Sequence, residues 1–452
     1  MSGSPRWVAY DTLRAVGESD AYANLLLPRQ LRAAGLSGPD AALATELTYG
    51  TLRRQGTYDA IIADAAGRAV SEIDPAVLDA LRLGAHQLLA MRTPAHAAVN
   101  ETVRQVRQAA GKPAAGFANA VLRRVSERTA EEWDTRLAKL ARSEDERLAL
   151  RHAHPVWIIR ALRRALAAEG RADELEDLLA ADNVAPTVTM TALPGIAVAP
   201  DTAEPTPYSP IGFRLAGGDP GPVVTASGGR IRVQDEGSQL AALALTRAVP
   251  VREGERWLDL CAGPGGKTAV LAAEALATGA VLEANEVSPA RAGLVRDSVA
   301  GVPLEVPVSE EDGRARAGHG RYDRILVDAP CTGLGALRRR PEARWRKTPA
   351  DVPDLTELQG ALLTAAFESL APGGIVAYVT CSPHLAETAA IVSDARRRFV
   401  GAIEELDARA VLASVSRSEM DLPAPADGSG RAQLWPHRHG TDAMSISLLR
   451  RV

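Results

Sequence analysis

The chain has 452 residues, 46% of them hydrophobic and 24% charged, which is enough apolar sequence for more than one globular domain. Its formal net charge of −4 excludes a uniformly basic nucleic-acid-binding protein but leaves room for a local basic patch. The sequence shows no signal peptide and no apolar stretch long enough to span a bilayer, so we expect a cytoplasmic protein.

Residues 1–134 are predicted to be entirely helical. Apolar residues recur three or four positions apart, and Asp74-Pro75 is a typical helix start. Several arginines on these helices could form a phosphate-binding face, and a solvated helix surface explains them equally well. The predicted helices are Arg6–Val16, Ala23–Ala34, Asp40–Gln55, Tyr58–Ala66, Pro75–Met91, Ala95–Ala110 and Ala115–Val125.

Residues 135–235 are predicted to form a linking region that is first helical and then rich in β-structure. The alternation in Thr187–Ala192 predicts a strand, and residues 193–230 are rich in proline and glycine. We therefore expect a small α+β domain between the helical start and the rest of the chain.

From residue 236 onwards, helices and strands alternate, which predicts a Rossmann-like α/β domain with a doubly wound sheet. A short strand, Arg230–Val233, precedes it. A helix over Leu355–Leu370 is predicted to end at the turn Pro372-Gly373-Gly374. The predicted strands are 258–261, Ala280–Asn285, Tyr322–Asp328, Ile375–Thr380 and, at the edge of the sheet, Ala443–Arg450.

A glycine-rich turn follows the strand at 258–261 and opens a helix. In the sequence LDLCAGPGGKTAVLAA of Leu258–Ala273, the glycines let the backbone approach a ligand, and the first helical amides can donate to it. Glu286, at the end of the next strand, is placed to bind the hydroxyl pair of a ribose. The features fit a dinucleotide or S-adenosylmethionine, and a plain turn is the alternative.

The three cysteines, Cys261, Cys331 and Cys381, each follow a strand-like apolar run. They form no CxxC pair and no Cys/His zinc spacing, so we expect neither a disulfide framework nor a metal site. Core packing would explain any one of them. Core packing explains three cysteines at equivalent strand ends less well.

Five segments carry a resemblance to a known family: VQDEGSQ at 233–239, DLCAGPGGKT at 259–268, DAPCTGLGALRRRPEARW at 328–345, YVTCS at 378–382 and PHRHGTD at 436–442. They resemble the Nop2/Sun family of RNA (cytosine-5) methyltransferases, and most of all its bacterial 16S rRNA methyltransferase B branch. The helical start resembles the NusB-like RNA-binding domain of that branch. The resemblance spans nearly the whole chain and implies a Rossmann-like S-adenosylmethionine-dependent methyltransferase domain.

By this resemblance, Cys381 is the nucleophile that adds to carbon-6 of a cytosine, so that carbon-5 can attack a methyl sulfonium. Cys331 helps to release the enzyme after methyl transfer, and Asp328 faces both cofactor and cytosine. The thiolate is the attacking species, so Cys381 needs a lowered pKa. Cys261 is assigned no chemistry of its own.

The resemblance also implies S-adenosylmethionine as the cofactor, with Glu286 on its ribose and Asp312 near its adenine. Lys267 could instead be an ordinary lysine at a helix start. Gly263 stands where the family usually has alanine, a change that we expect to be harmless. The residues expected to contact the cofactor are Cys261, Ala262, Gly263, Pro264, Gly265, Gly266, Lys267, Glu286, Asp312 and Asp328.

A strongly basic strip follows the Cys331 segment. It is suited to RNA phosphates with one stacking surface, and a solvated loop is the alternative. His437 and His439 are expected to be RNA-facing or structural rather than metal ligands. The strip consists of Arg338, Arg339, Arg340, Arg344, Trp345, Arg346 and Lys347.

The sequence therefore predicts a monomeric enzyme that methylates ribosomal RNA, most of all 16S rRNA. The same chemistry on transfer RNA or 23S rRNA is one alternative. A non-catalytic RNA-binding or antitermination role is another, and the intact Cys331, Cys381 and cofactor loop count against it. A DNA cytosine methyltransferase would carry its nucleophile in the Pro-Cys segment and would lack this helical start.

Overall fold

The computed structural model describes residues 3–19, 21–215, 217–318 and 321–452. The chain packs as two compact units. The first takes residues 1–160, 179–185 and 337–347, and the second takes residues 161–178, 186–336 and 348–452. The three-domain division at residues 134 and 235 stays a prediction, because these units are defined by packing and not by independent folding.

The helices include every one predicted for the first 134 residues. Short 3₁₀ helices lie at Val70–Glu72, Ala172–Glu174 and Gly313–Arg316. The α-helices are α1 Pro5–Glu18, α2 Ala23–Ala33, α3 Gly38–Arg53, α4 Gln55–Ala66, α5 Pro75–Leu89, α6 Ala95–Val125, α7 Ala130–Ala138, α8 Glu144–His152, α9 Val156–Ala167, α10 Leu175–Ala181, α11 Gly221–Ala226, α12 Glu236–Arg247, α13 Gly266–Thr278, α14 Pro289–Val299, α15 Ala343–Arg346, α16 Asp351–Glu368, α17 Ala389–Arg398, α18 Ala408–Val415 and α19 Pro436–His439.

The strands build two sheets. They are β1 Thr189–Ala192, β2 Glu204–Pro205, β3 Gly212–Arg214, β4 Ile231–Val233, β5 Arg256–Asp259, β6 Val281–Asn285, β7 Val308–Ser309, β8 Tyr322–Asp328, β9 Leu370–Thr380, β10 Ile403–Leu406, β11 Ala432–Gln433 and β12 Ser445–Arg451.

Local signals explain the helix boundaries in the first unit. Asp74 caps α5, since its Oδ1 accepts from the backbone N–H of Ala76 at 2.9 Å and of Val77 at 3.2 Å. Gly111 interrupts the helical geometry of α6 with a φ of +86°, just before Pro113. This break separates the two helices that the sequence predicted there.

The two sheets both lie in the second unit. The small one is antiparallel, in the order β2-β3-β1-β4, and contains the strands predicted at 187–192 and 230–233. The large one has the order β10-β12-β9-β8-β5-β6-β7, in which β5 to β9 are parallel to one another, whereas β12 runs antiparallel to β9 and to β10. This is the mixed sheet with helical crossovers that the alternation of elements predicted.

Helices cover both faces of the large sheet, which is why its strands read as continuous apolar runs. On β9, Ala377 and Val379 pack in one core with α12 and α13, whereas Val376 and Tyr378 pack in the other with α16 and α17. Each core strand therefore needs apolar side chains at successive positions.

Two predictions about the end of the domain are wrong. Strand β12 is not at the edge of the sheet, because it pairs with β9 on one side and with β10 on the other. Its Ile446 and Leu449 enter opposite cores, as in a central strand. The turn Pro372-Gly373-Gly374 does not end a helix either; α16 ends at Glu368, and the turn lies within the irregular start of β9.

In the part of the chain that the structure describes, no helix has both the length and the apolar content needed to cross a bilayer.

Candidate active site

The carboxyl ends of the five parallel strands meet at one edge of the large sheet. Strand β5 leads into the glycine turn, β6 into Glu286, β7 into Asp312, β8 into Asp328 and β9 into Cys381. Strand pairing therefore brings together segments that are far apart in the sequence.

Glycine is required at Gly265 in the turn. Its φ is +101°, and a β-carbon there would lie 2.5 Å from Cβ of Ser298 and 2.9 Å from the backbone of Val295. The turn thus passes α14 at a distance that a side chain would prevent.

Gly263 lies against the side chain of Glu286. A β-carbon there would lie 2.4 Å from Oε2 of Glu286. A β-carbon at Gly263 would require the carboxylate to shift, and the expectation that alanine is harmless at this position stays a prediction.

The Glu286 carboxylate is buried against the turn. Its Oε2 accepts from the N–H of Gly263 at 3.0 Å, and its Oε1 accepts from the N–H of Ser288 at 3.0 Å. Arg291 lies 3.5 Å from Oε2. These contacts hold an anionic acceptor beside the turn, where the hydroxyl pair of a ribose would need it.

Asp259 lies beneath the turn and is fully buried. Its Oδ2 accepts from the hydroxyl of Thr268 at 2.7 Å, while its Oδ1 has no hydrogen-bond partner among the described residues. Burial raises the pKa of Asp259 to about 7, although the Thr268 hydrogen bond opposes this. The turn is thus a cradle closed to side chains, with an unpartnered acceptor below it.

Lys267 and Asp328 form an ion pair between the turn and β8. Lys267 Nζ lies 2.6 Å from Asp328 Oδ2, and the lysine side chain is only 10% exposed. Burial lowers the pKa of Lys267, but the Asp328 carboxylate, together with Cys381 and Asp259, more than offsets this, so the net shift is upward. Lys267 therefore stays charged and is not an ordinary surface lysine.

Cys331 and Cys381 face each other with their sulfur atoms 3.5 Å apart. A hydrogen bond from Cys331 lowers the pKa of Cys381, helped by the charge of Lys267 and opposed by burial. The same hydrogen bond raises the pKa of Cys331, and the burial of Cys331 is the second cause of that rise. The pair thus has one thiol prepared to ionise and one prepared to stay protonated.

Cys261 differs from the other two. Burial and the nearby Asp259 carboxylate raise its pKa well above the ordinary value, which leaves it unreactive as a thiol.

Asp312 caps the 3₁₀ helix Gly313–Arg316. Its Oδ1 accepts from the N–H of Arg314 at 2.9 Å, and the Arg314 guanidinium pairs with the carboxylate at 2.6 Å. The hydrogen bond from Arg314 lowers the pKa of Asp312. Its role toward an adenine stays a prediction.

The basic strip belongs to the first unit, and its residues differ in exposure. Arg344 is fully buried and donates to the carbonyl oxygens of Arg53 at 2.7 Å and Asp182 at 2.9 Å, and to Asn183 Oδ1 at 2.8 Å. The prediction that Arg344 contacts RNA is wrong for this fold, because the side chain is buried and both of its Nη groups donate to internal acceptors. Arg338 is buried as well.

Arg340 and Trp345 are the exposed members of the strip. The guanidinium groups of Arg340 and Arg346 lie 5.4 and 4.9 Å from the ring centre of Tyr22, which is itself 40% exposed. Sequence reasoning missed Tyr22, since a single tyrosine before a helix carries no signal. The outward-facing surface of this segment thus combines aromatic rings with guanidinium groups.

Comparison with known proteins places this site in a family. Residues 246–450 match the family model described as 16S rRNA methyltransferase RsmB/F, and residues 4–127 match the NusB family. The chain is 49% identical to MT1451 of Mycobacterium tuberculosis, named as a methyltransferase, over 99% of this chain and 96% of that protein. It is 34% identical to the ribosomal RNA small subunit methyltransferase B of Pseudomonas putida, over 89% of this chain and 91% of that protein.

The chain belongs to the RsmB/F family of ribosomal RNA methyltransferases.

The fold of this RsmB/F methyltransferase is shared with solved structures. PH0851 covers 98% of each chain with a TM-score of 0.80 at 21% identity. A methyltransferase homologue from Pyrococcus horikoshii aligns over 68% of this chain and 98% of its own, with a TM-score of 0.53 at 22% identity. The predicted NusB-like start and methyltransferase fold are confirmed.

The cofactor of this RsmB/F methyltransferase is S-adenosylmethionine, as predicted. The residues present fit it: the cradle at Gly263 and Gly265 admits backbone contact, Glu286 offers a carboxylate for the ribose, and Asp259 has an acceptor without a partner.

The histidines near the end of this RsmB/F methyltransferase have structural partners. His437 Nε2 lies 2.9 Å from Glu174 Oε2, and His439 Nδ1 accepts from the N–H of Trp435 at 2.9 Å. Within the described ranges, no group of three or more His, Cys, Asp or Glu side chains could hold a metal ion.

Two segments that the sequence analysis had singled out, 233–239 and 436–442, are joined by a hydrogen bond. The N–H of Asp442 donates to Asp235 Oδ1 at 3.2 Å.

Sequence reasoning also missed Glu387, a buried carboxylate after Cys381, because a glutamate just before a helix is typical of an ordinary helix start.

Proposed function

We propose that this protein methylates carbon-5 of a cytosine in ribosomal RNA, most of all 16S rRNA, through a covalent bond between Cys381 and carbon-6. The observation that carries the proposal is the thiol pair, 3.5 Å apart, in which the pKa of Cys381 is lowered and that of Cys331 is raised. A nucleophile and a second thiol in contact are what addition and later elimination need.

Cys381 is the residue prepared to attack. Its thiolate is favoured by the hydrogen bond from Cys331 and by the charge of Lys267. Addition to carbon-6 forms an S–C bond and moves the π electrons so that carbon-5 becomes nucleophilic. S-adenosylmethionine supplies an electrophilic methyl group.

Asp328 is placed to orient the base. Lys267 Nζ donates to one of its carboxylate oxygens at 2.6 Å. The other oxygen can accept a hydrogen bond from the exocyclic amine of a cytosine. Such a contact would favour cytosine over uracil, which has no amine there.

Cys331 is placed to complete the reaction. After methylation, carbon-5 still carries its hydrogen, and removal of that proton restores the double bond and expels Cys381. Once Cys381 is bonded to carbon, its charge no longer raises the pKa of Cys331, so Cys331 can lose its own proton to water and act as the base.

The substrate side of the proposal rests on shape. A base must leave its stack to reach Cys381, so we expect a loop or bulge nucleotide. The helical unit and the exposed Arg340, Trp345 and Tyr22 are the surface that would hold the surrounding RNA. Because the proposed substrate is ribosomal RNA, we also propose that the protein acts in the cytoplasm.

The test is to trap the covalent complex. Cys331→Ala, incubated with 16S rRNA and S-adenosylmethionine, should accumulate a protein–RNA adduct that survives denaturing electrophoresis. The adduct should vanish in Cys331→Ala/Cys381→Ala and persist in Cys331→Ala/Cys261→Ala. An adduct that survives without Cys381 would overturn the assignment of the nucleophile.

The RNA itself can be identified separately. Bisulfite sequencing of ribosomal and transfer RNA from a deletion strain should show one lost 5-methylcytosine in 16S rRNA. A loss confined to 23S rRNA or transfer RNA would contradict the choice of substrate and leave the chemistry intact.

A further inference from the structure

Glu387 is a fully buried carboxylate between β9 and α17. Its Oε1 accepts from the N–H of Thr332 at 2.7 Å and from Nε2 of Gln359 at 3.2 Å. Its Oε2 accepts from the hydroxyl groups of Thr332 at 2.5 Å and Ser382 at 2.6 Å. The carboxylate is therefore bound on both oxygens.

These partners flank the two reactive cysteines. Thr332 directly follows Cys331 in the chain, and Ser382 directly follows Cys381. A single carboxylate thus holds the loop after β8 and the loop after β9. The two hydroxyl groups also contact each other at 3.1 Å, which closes the network.

The loop after β8 and the backbone of Glu387 are each held by a further hydrogen bond. Gln359 Nε2 donates to the carbonyl oxygen of Pro330, the residue before Cys331, at 2.8 Å. The backbone of Glu387 is fixed in turn, because its carbonyl oxygen accepts from the hydroxyl of Tyr378 at 2.8 Å. The position of each cysteine is thus set by groups anchored in the sheet and in α16.

All the donors to the Glu387 side chain named above are neutral. Burying a carboxylate is unfavourable, and neutral donors offset this less completely than a guanidinium or an ammonium would. A glutamine would fill the same volume without a buried charge. The charge itself therefore calls for an explanation, and it contributes to the raised pKa of the Cys331 thiol, after the hydrogen bond to Cys381 and burial.

We propose that Glu387 is a positioning residue that holds the thiols of Cys331 and Cys381 in contact by binding both cysteine loops. The hydrogen bond to Cys381 and burial raise the pKa of Cys331, and the charge of Glu387 adds to that rise. The meaning of this for catalysis rests on the proposed function; the effect on the two thiols does not.

The test uses Glu387→Gln in the full chain and measures alkylation of each cysteine by iodoacetamide against pH, with peptide mass spectrometry. In the wild type, Cys381 should react at lower pH than Cys331. In Glu387→Gln, we expect the rate for Cys381 at pH 7 to fall about tenfold, which corresponds to one pH unit in its midpoint, and the preference for Cys381 over Cys331 to shrink.

Glu405→Gln is the matched control. Glu405 is another largely buried carboxylate of the second unit, on β10, where it accepts from the N–H of Gly430 at 3.0 Å and pairs with Arg396. This variant should keep the wild-type alkylation profile. A Glu387→Gln protein that melts earlier but retains the wild-type profile would show a structural role only and overturn the proposal.

Ser382→Ala provides a second variant if Glu387→Gln does not fold. It removes one of the hydroxyl donors and should shift the Cys381 profile in the same direction by a smaller amount; an unchanged profile would count against the proposal. A changed profile together with no trapped RNA adduct in Cys331→Ala would leave this inference standing and reject the proposed methylation chemistry.

Discussion

At Gly263, a β-carbon would lie 2.4 Å from Oε2 of Glu286 and 2.8 Å from Nε of Arg291. The Glu286 carboxylate is held by two backbone amides, so it cannot move away without breaking hydrogen bonds. The absence of a β-carbon at Gly263 therefore leaves the room that this carboxylate occupies.

We predict that Gly263→Ala binds S-adenosylmethionine about tenfold more weakly, which corresponds to roughly 1.4 kcal/mol. The reason is that the displaced Glu286 carboxylate no longer meets the ribose. Isothermal titration calorimetry measures the Kd. Gly293→Ala on α14, where an added β-carbon meets open space, should bind like the wild type. Equal affinity for Gly263→Ala would show that Glu286 has room to adjust.

The site residues divide by how local their cause is. The glycine turn, Glu286 and the strand-end cysteines could be predicted because each has a signature within a few residues. The opposite pKa shifts of Cys331 and Cys381 could not, because they arise from a 3.5 Å contact between residues on different strands. The same holds for Glu387, whose partners come from three separate segments.

Among the elements, β8 and α12 are connected by one buried arginine. Arg324, in the middle of β8, is 1% exposed, and its Nη1 donates to the carbonyl oxygen of Leu245 in the last turn of α12 at 2.7 Å. Its Nη2 donates to Val249 O at 2.9 Å, and its Nε to Glu255 Oε2 at 2.7 Å. Arg324 thus satisfies carbonyls that the end of a helix leaves without partners.

We predict that Arg324→Leu lowers the free energy of unfolding by about 3–5 kcal/mol, because the buried Glu255 carboxylate loses its guanidinium partner at 2.7 Å and several buried carbonyls lose their donor. Urea denaturation measures this. Arg256→Leu, which removes an exposed pair with Glu283 at 3.0 Å, should cost less than about 1 kcal/mol.

Adding Glu255→Gln to Arg324→Leu should restore part of the lost stability, since it removes the buried Glu255 charge, whose closest guanidinium partner is gone. If Arg324→Leu were as mild as Arg256→Leu, water would have to reach the site and replace the lost hydrogen bonds.

Element prediction worked where the pattern is local and failed where neighbours decide. The strand Tyr322–Asp328 was predicted with its observed bounds, because the run YDRILVD has the apolar centre Ile-Leu-Val and is followed by Ala-Pro. The edge position of β12 was wrong, because order in a sheet depends on which strands pair and not on the place of a strand in the chain.

For the molecule as a whole, one segment of the region that matches the methyltransferase family packs in the first unit. Residues 337–347 belong to the first unit, in which Arg344 donates to backbone carbonyls while Arg340 is exposed. Two arginines of one basic strip therefore have different tasks.

We predict that Arg340→Ala weakens binding of a 16S rRNA fragment several-fold and reduces the slope of log K against log salt by about one, because one phosphate contact is lost. Arg344→Ala should leave the slope unchanged and lower the free energy of unfolding by about 3 kcal/mol, because its acceptors stay buried without a donor. Fluorescence anisotropy and urea denaturation measure the two effects. A reduced salt slope in Arg344→Ala at wild-type stability would show that this side chain reaches RNA after all.

The sequence by itself determined the order of the helical and α/β parts, the glycine turn, the strand ends and the family resemblance, because periodicity and short motifs are properties of neighbouring residues. Only the tertiary structure decided which thiol is prepared to ionise, that Gly263 lies against the Glu286 carboxylate, that Arg344 is buried and that Glu387 hydrogen-bonds to both cysteine loops. Each of these depends on contacts across the fold, and a pKa or a steric limit follows from the atoms within a few ångströms and not from the residues nearby in the chain.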